Sequence, residues 1–239
     1  MALAKTPLAL VVGRALTFAL GCLGLVWGIF ALAHSEAADD FREIEGRLLR
    51  SETLNRTIST QTLESRAAQS LSACDTHSQR AMLLLEMPLA ESALRTGFAQ
   101  EFDRHVRSLE TRSRLILSCT PRDSFVWLLV FNLEALHGLL NHRSFDALSM
   151  SYDTSPNEAW ISIRRTIVAT PLLLIAPEAL RLKIIKEFQQ LITNGLPDSA
   201  ARSYLAAPPA IRSLLLAHVQ QLNPSQQKSF SDALHKFRS

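Results

Sequence analysis

Cys74 and Cys119 are the two cysteines that lie outside the apolar N-terminal segment, and an even pair is what one disulfide requires. Exported proteins keep such bridges and cytosolic ones do not. The two stand 45 positions apart, and the loop they would close is worth on the order of 4 kcal/mol in the chain-entropy picture. The other reading is two unrelated buried thiols. Glu134-x-x-His137 puts a carboxylate and an imidazole on one helix face, as di-metal carboxylate bundles do. Those bundles need a second such pair and two further carboxylates, and the chain has no second Glu-x-x-His. His142 follows His137 by five positions, which is not a chelating step on one helix. There is no G-x-S-x-G turn, Walker loop or dinucleotide fingerprint. Asp39-Asp40 adjoins the apolar segment, where solvation explains it. The sequence therefore assigns no catalytic, cofactor-binding or metal-binding residue. Trp160, Arg164 and Arg165 are the candidate protein-binding residues, since Trp and Arg are enriched at interface hot spots. The alternative is a core tryptophan beside solvated arginines.

The elements that must carry these residues are helical. Only 8 glycines occur in 239 residues, which disfavours repeated tight turns, and 47 % hydrophobic content argues against disorder. Thr76 with Gln79 reads as a capping box opening a helix that Pro88 should kink or end. A second helix is predicted over 97–118, ended by Pro121. Residues 124–140 are apolar nearly all round and read as the central core helix. Arg164, Arg165 and Pro171 argue against a membrane span in 161–175. Beyond it, Pro177, Pro197, Pro208, Pro209 and Pro224 divide the chain into short helices, because proline suits the first turn.

Ala15 to Ala33 carries no charge, and 19 residues span about 28 Å, near the thickness of a bilayer core. Lys5 and Arg14 precede it; His34, Glu36, Asp39 and Asp40 follow. The positive-inside rule then places the N-terminus in the cytoplasm and the body outside. Its length favours a retained signal anchor over a signal peptide cleaved after Ala31-Leu32-Ala33. A third reading is a lipoprotein anchored through Cys22. Gly24 and Gly28 form a G-x-x-x-G that suits helix pairing in lipid and a homodimer through this segment; the other reading is that glycine is common in such helices anyway. Lys5 and Arg14 account for most of the basic excess. The other residues carry 23 basic against 22 acidic groups, without the footprint of a nucleic-acid binder.

The expected organisation is a cytoplasmic tip and anchor over 1–34, a helical stalk over 35–60, and an extracytoplasmic domain over 61–239. The stalk stripe Phe41, Ile44 and Leu48 is expected to pack on its own domain. Asn55-Arg56-Thr57 is a glycosylation triplet that arises by chance at this length.

Pro121 to Trp127 and Pro156 to Trp160 share a layout, with prolines 35 and tryptophans 33 positions apart. A period near 34 with Pro and then Trp opening a helix resembles the tetratricopeptide repeat over Pro121 to Thr193. Where that family places a small residue four positions after the Trp, this chain has Phe131 and Arg164. The following aromatic is replaced by Glu134 and Ile167. The resemblance implies a concave protein-binding surface and no catalysis; an irregular helical bundle is the alternative. The general layout also resembles accessory proteins of bacterial envelope polysaccharide clusters.

The expectation is thus an all-α protein of the inner membrane, single-pass, contacting lipid through residues 15–33. Its outer domain would act as a scaffold or assembly factor for a protein partner, in envelope polysaccharide export or biosynthesis. The alternative is an enzyme or ligand-binding protein acting on envelope glycans, which would show a pocket where carboxylates or His converge.

Overall fold

The structure, a computed structural model, describes residues 7–49 and 55–237, with side chains placed for 12–29, 41–48 and 55–237. Lys5 lies outside the described residues, as do the side chains of His34, Glu36, Asp39 and Asp40 and those of the Ala31–Ala33 cleavage motif. Among the described residues the chain is all-α, with no strand.

The first helix, α1 (Pro7–Leu49), is 43 residues long. Its stretch Val12–Ile29 is long and apolar enough to cross a membrane, with none of it buried by the rest of the protein. The helix does not end there. It continues unbroken to Leu49, and its last turns bury Phe41, Glu45 and Leu48 against the domain. The expected stalk over 35–60 is therefore divided. Its first part belongs to α1 and packs on the protein's own core; residues 50–54 lie outside the described residues; and α2 (Arg56–Glu64) starts a separate element capped by Asn55.

A four-residue helix, α3 (Arg66–Gln69), leads to α4 (Thr76–Thr96). The cap of α4 is Asp75, one residue before the predicted Thr76, accepting from the Ser78 amide at 3.3 Å. Gln79 is not part of a capping box. Its Nε2 donates to the Ser72 carbonyl at 3.0 Å, and its Oε1 accepts from Arg112. Pro88 does not end the helix either. It sits exposed inside α4 while Leu85, Leu89, Ala90 and Ala93 are buried on the core side. Burial of that stripe outweighs the backbone hydrogen bond that a proline cannot donate.

Gly97, in the left-handed region at φ 76°, closes α4 and lets the chain reverse into α5 (Ala99–Cys119). The two form a hairpin whose open end is joined by Cys74 and Cys119, with Cα atoms 5.3 Å apart and the sulfurs in disulfide contact. Next come α6 (Ser124–Leu136) and α7 (His142–Thr154), also antiparallel: Ser151 Oγ, late in α7, donates to the Ser124 carbonyl at the start of α6. Helix α6 buries Phe125, Val126, Leu128, Leu129, Phe131 and Leu133, as its all-round apolar character requires. Then α8 (Ala159–Ala169) leads through a 3-10 turn, Thr170–Leu172, to α9 (Glu178–Thr193). The chain closes with α10 (Pro197–Ala206), α11 (Pro209–Val219) and α12 (Pro224–Lys236), each with proline in its first turn. Phe188, Phe230 and Tyr204 meet edge to face where α9, α10 and α12 converge.

Candidate functional site

Trp160, Arg164 and Arg165 do not form one surface. Arg165 is wholly buried. Its guanidinium forks onto Glu187 of α9, donates to the Ser151 carbonyl and to that of Ser155, and lies 4.0 Å over the Tyr152 ring. A charge placed there joins α7, α8 and α9 and cannot reach a partner, so its assignment to a binding surface is corrected. Sequence could not separate it from Arg164 because neighbours on a helix point about 100° apart, and only the packing decides which faces inward.

Arg164 and Trp160 lie at an internal joint. Arg164 donates to the Leu48 carbonyl at 3.1 Å, near the end of α1, and its guanidinium stacks 5.7 Å from the Trp160 ring. Burial lowers the Arg164 pKa from its ordinary value. Arg80 approaches the same ring at 5.9 Å, and Phe125 packs 5.8 Å away. Trp160 Nε1 donates to Glu158 at 2.9 Å. Arg80 is the hub: it donates to Glu45 of α1 at 2.8 Å and to Asp123 at 2.6 Å. Burial works against its charge, and the Asp123 and Glu45 carboxylates more than offset this, raising its pKa. Asp123 also caps α6, accepting from the Phe125 and Val126 amides. His77 Nδ1 stands 2.9 Å from the other Glu45 oxygen. Glu45, hidden in an apparently solvated stalk, was not legible as the residue that fastens α1.

Glu134 and His137 do not share a site. His137 caps the end of α6 with Nε2 3.7 Å from Glu110, and one Glu134 oxygen is buried without a hydrogen-bond partner. No three His, Cys, Asp or Glu side chains stand together as metal ligands among the described residues. Gly24 and Gly28 face open space, where an added Cβ would meet nothing within 4 Å.

Two concavities are better candidates. The first is an apolar groove of about 370 Å³ between α4, α5, α6 and α8. Met87, Ala90, Glu91 and Leu94 line one wall at the three- and four-residue spacing of a helix face; Phe102, Leu129, Leu136 and Val168 supply the rest. Leu94 and Leu136 are each about half exposed at its mouth. The second is a polar pocket of about 260 Å³ where α2 lies over α4 and α5. There Glu86 accepts from Ser108 at 2.7 Å and meets His105 Nδ1 at 3.1 Å. The signal for it was present: Glu86 interrupts the apolar run Met82–Leu85 on a core-facing stretch, and His105 with Ser108 is an i, i+3 pair.

Compared with protein-family models, with curated proteins and with solved structures, the chain matches none.

Proposed function

We propose that the protein is a membrane-anchored helical scaffold or assembly factor whose extracytoplasmic domain holds an apolar helix of a protein partner in the groove between α4, α5, α6 and α8. The observation that carries this is the groove itself, an open, mostly leucine, methionine and phenylalanine trough on the surface of a domain fastened to a single apolar helix. A partner helix can lay an i, i+3, i+7 apolar stripe into such a trough. Among the described residues the only charged one lining the groove is Glu91, which favours a partner with a basic side chain at the groove edge and disfavours an anionic lipid headgroup. Two further features support a scaffold. The consecutive pairs α6–α7 and α8–α9 begin at Ser124 and Ala159, 35 residues apart, close to the period near 34 on which the tetratricopeptide-like reading rests. The Cys74–Cys119 pair fits an oxidising, periplasm-like compartment outside the inner membrane, and the place of action we propose is envelope polysaccharide export or biosynthesis.

Photocrosslinking tests the groove. A crosslinking residue at Leu136 should trap one protein that the same residue at Leu182, exposed elsewhere, does not. A peptide covering the trapped segment should bind the purified chain and lose binding to Leu94→Asp. Equal crosslinking from both positions, or crosslinks only to lipid, would sink the reading.

A further inference from the structure

We propose that the polar pocket between α2, α4 and α5 is a second site, which binds a small ligand through an oxyanion group of the carboxylate or phosphate class. It is separate from the apolar groove and independent of the scaffold reading.

Each Glu86 oxygen is occupied, one by Ser108 Oγ and the other by His105 Nδ1. Glu101 accepts from Arg56 at 2.7 Å, and that bond lowers its pKa, so it stays ionised and engaged. The carboxylates of the pocket are thus largely used. The donors are not. Arg112 makes its hydrogen bond to a neutral amide, Gln79, and its Nε is buried without a partner. Burial pulls the Arg112 pKa down, and the Glu86 charge does not restore it. A half-buried guanidinium that lines the pocket without a hydrogen-bonded carboxylate is a group with which an incoming oxyanion would pair, because charge-assisted bonds are the strong ones. Arg104, about two helical turns earlier on α5, stands exposed on the same pocket wall. His105 lines the pocket with Nδ1 turned to Glu86 and Nε2 3.8 Å from Glu101, beyond hydrogen-bond length. Glu64 is the opposing charge on α2; it is exposed, where water and salt screen it. Leu63 and Leu89 complete the wall. At about 260 Å³ the pocket suits a small organic acid or a phosphorylated small molecule rather than a polymer segment.

The test uses the full chain in an uncharged detergent, titrated calorimetrically with inorganic phosphate and, separately, with glucuronate. Saturable binding of either at millimolar concentration or below is expected, and which of the two binds tells a tetrahedral oxyanion site from a planar one. Arg112→Gln should weaken binding at least about tenfold, the loss of one charge-assisted bond. Arg104→Gln, at an exposed position that does not threaten folding, should weaken it in the same direction. No heat from either ion, or affinity unchanged in both variants with helix content intact, overturns the proposal.

Discussion

Arg165 and Glu187 illustrate how a charge can be structural. The pair is enclosed, and removing one partner leaves the other uncompensated in a dry interior, which costs about 3–5 kcal/mol. Glu187→Ala should therefore lower the urea-unfolding free energy by that amount, and a loss under about 1 kcal/mol would mean that water reaches the guanidinium. Tyr152 packs against the same group. Burial raises its pKa well above the ordinary tyrosine value, with Glu187 adding to the effect and Arg165 opposing it. A folded-state pKa raised above the unfolded one gives stability that is complete below about pH 10 and is lost as pH climbs further. Wild-type protein should thus lose stability above about pH 10 more steeply than Tyr152→Phe, which has no hydroxyl to ionise. None of this was readable from the residues alone. An Arg-Arg step after a Trp looks the same whether the second arginine faces water or a glutamate 22 positions away.

At the level of the elements, helix positions were legible because their signals are local. The Pro-led starts of α10, α11 and α12 and the apolar character of α6 depend on neighbouring residues only. Pro88 misled because the reason α4 survives it is tertiary: the buried stripe on both sides holds the helix together. Pro88→Ala, at an exposed position, should restore an amide donor and raise stability by about 1–3 kcal/mol, read as an upward shift in thermal midpoint. Cysteine pairing was legible from the even count of two cysteines outside the apolar segment. Labelling under denaturing, non-reducing conditions should find Cys22 as the only reactive thiol. Removing the bridge with Cys74→Ser and Cys119→Ser should cost about 4 kcal/mol by the chain-entropy estimate, and three labelled thiols in the wild type would show that the pair is not bridged. The apolar groove was not legible, and of the polar pocket only Glu86 and the His105 and Ser108 pair left a local signal, since each concavity is assembled from three or four helices whose order in space no local pattern encodes.

For the whole molecule, the anchor assignment predicts that the protein resists alkaline extraction from membranes, and that a reporter fused after Ser239 is active only if exported. Activity of a cytoplasm-only reporter there would reverse the proposed orientation. The joint of Glu45, Arg80 and Asp123, with the Arg164 bond to the Leu48 carbonyl, gives this anchor a mechanical meaning. From Ile29 to Phe41 the backbone is continuous helix, so with the proposed anchor in a bilayer the segment between lipid and clamp would act as a drive shaft, not a tether. Each residue of it sets about 1.5 Å of height and about 100° of azimuth. One alanine inserted between these points should swing the groove around the shaft axis while barely raising it. Seven alanines should raise it by about 10 Å and return it close to its original bearing. If a partner embedded in the same bilayer must meet the groove, function will follow the phase of the insertion and not its length.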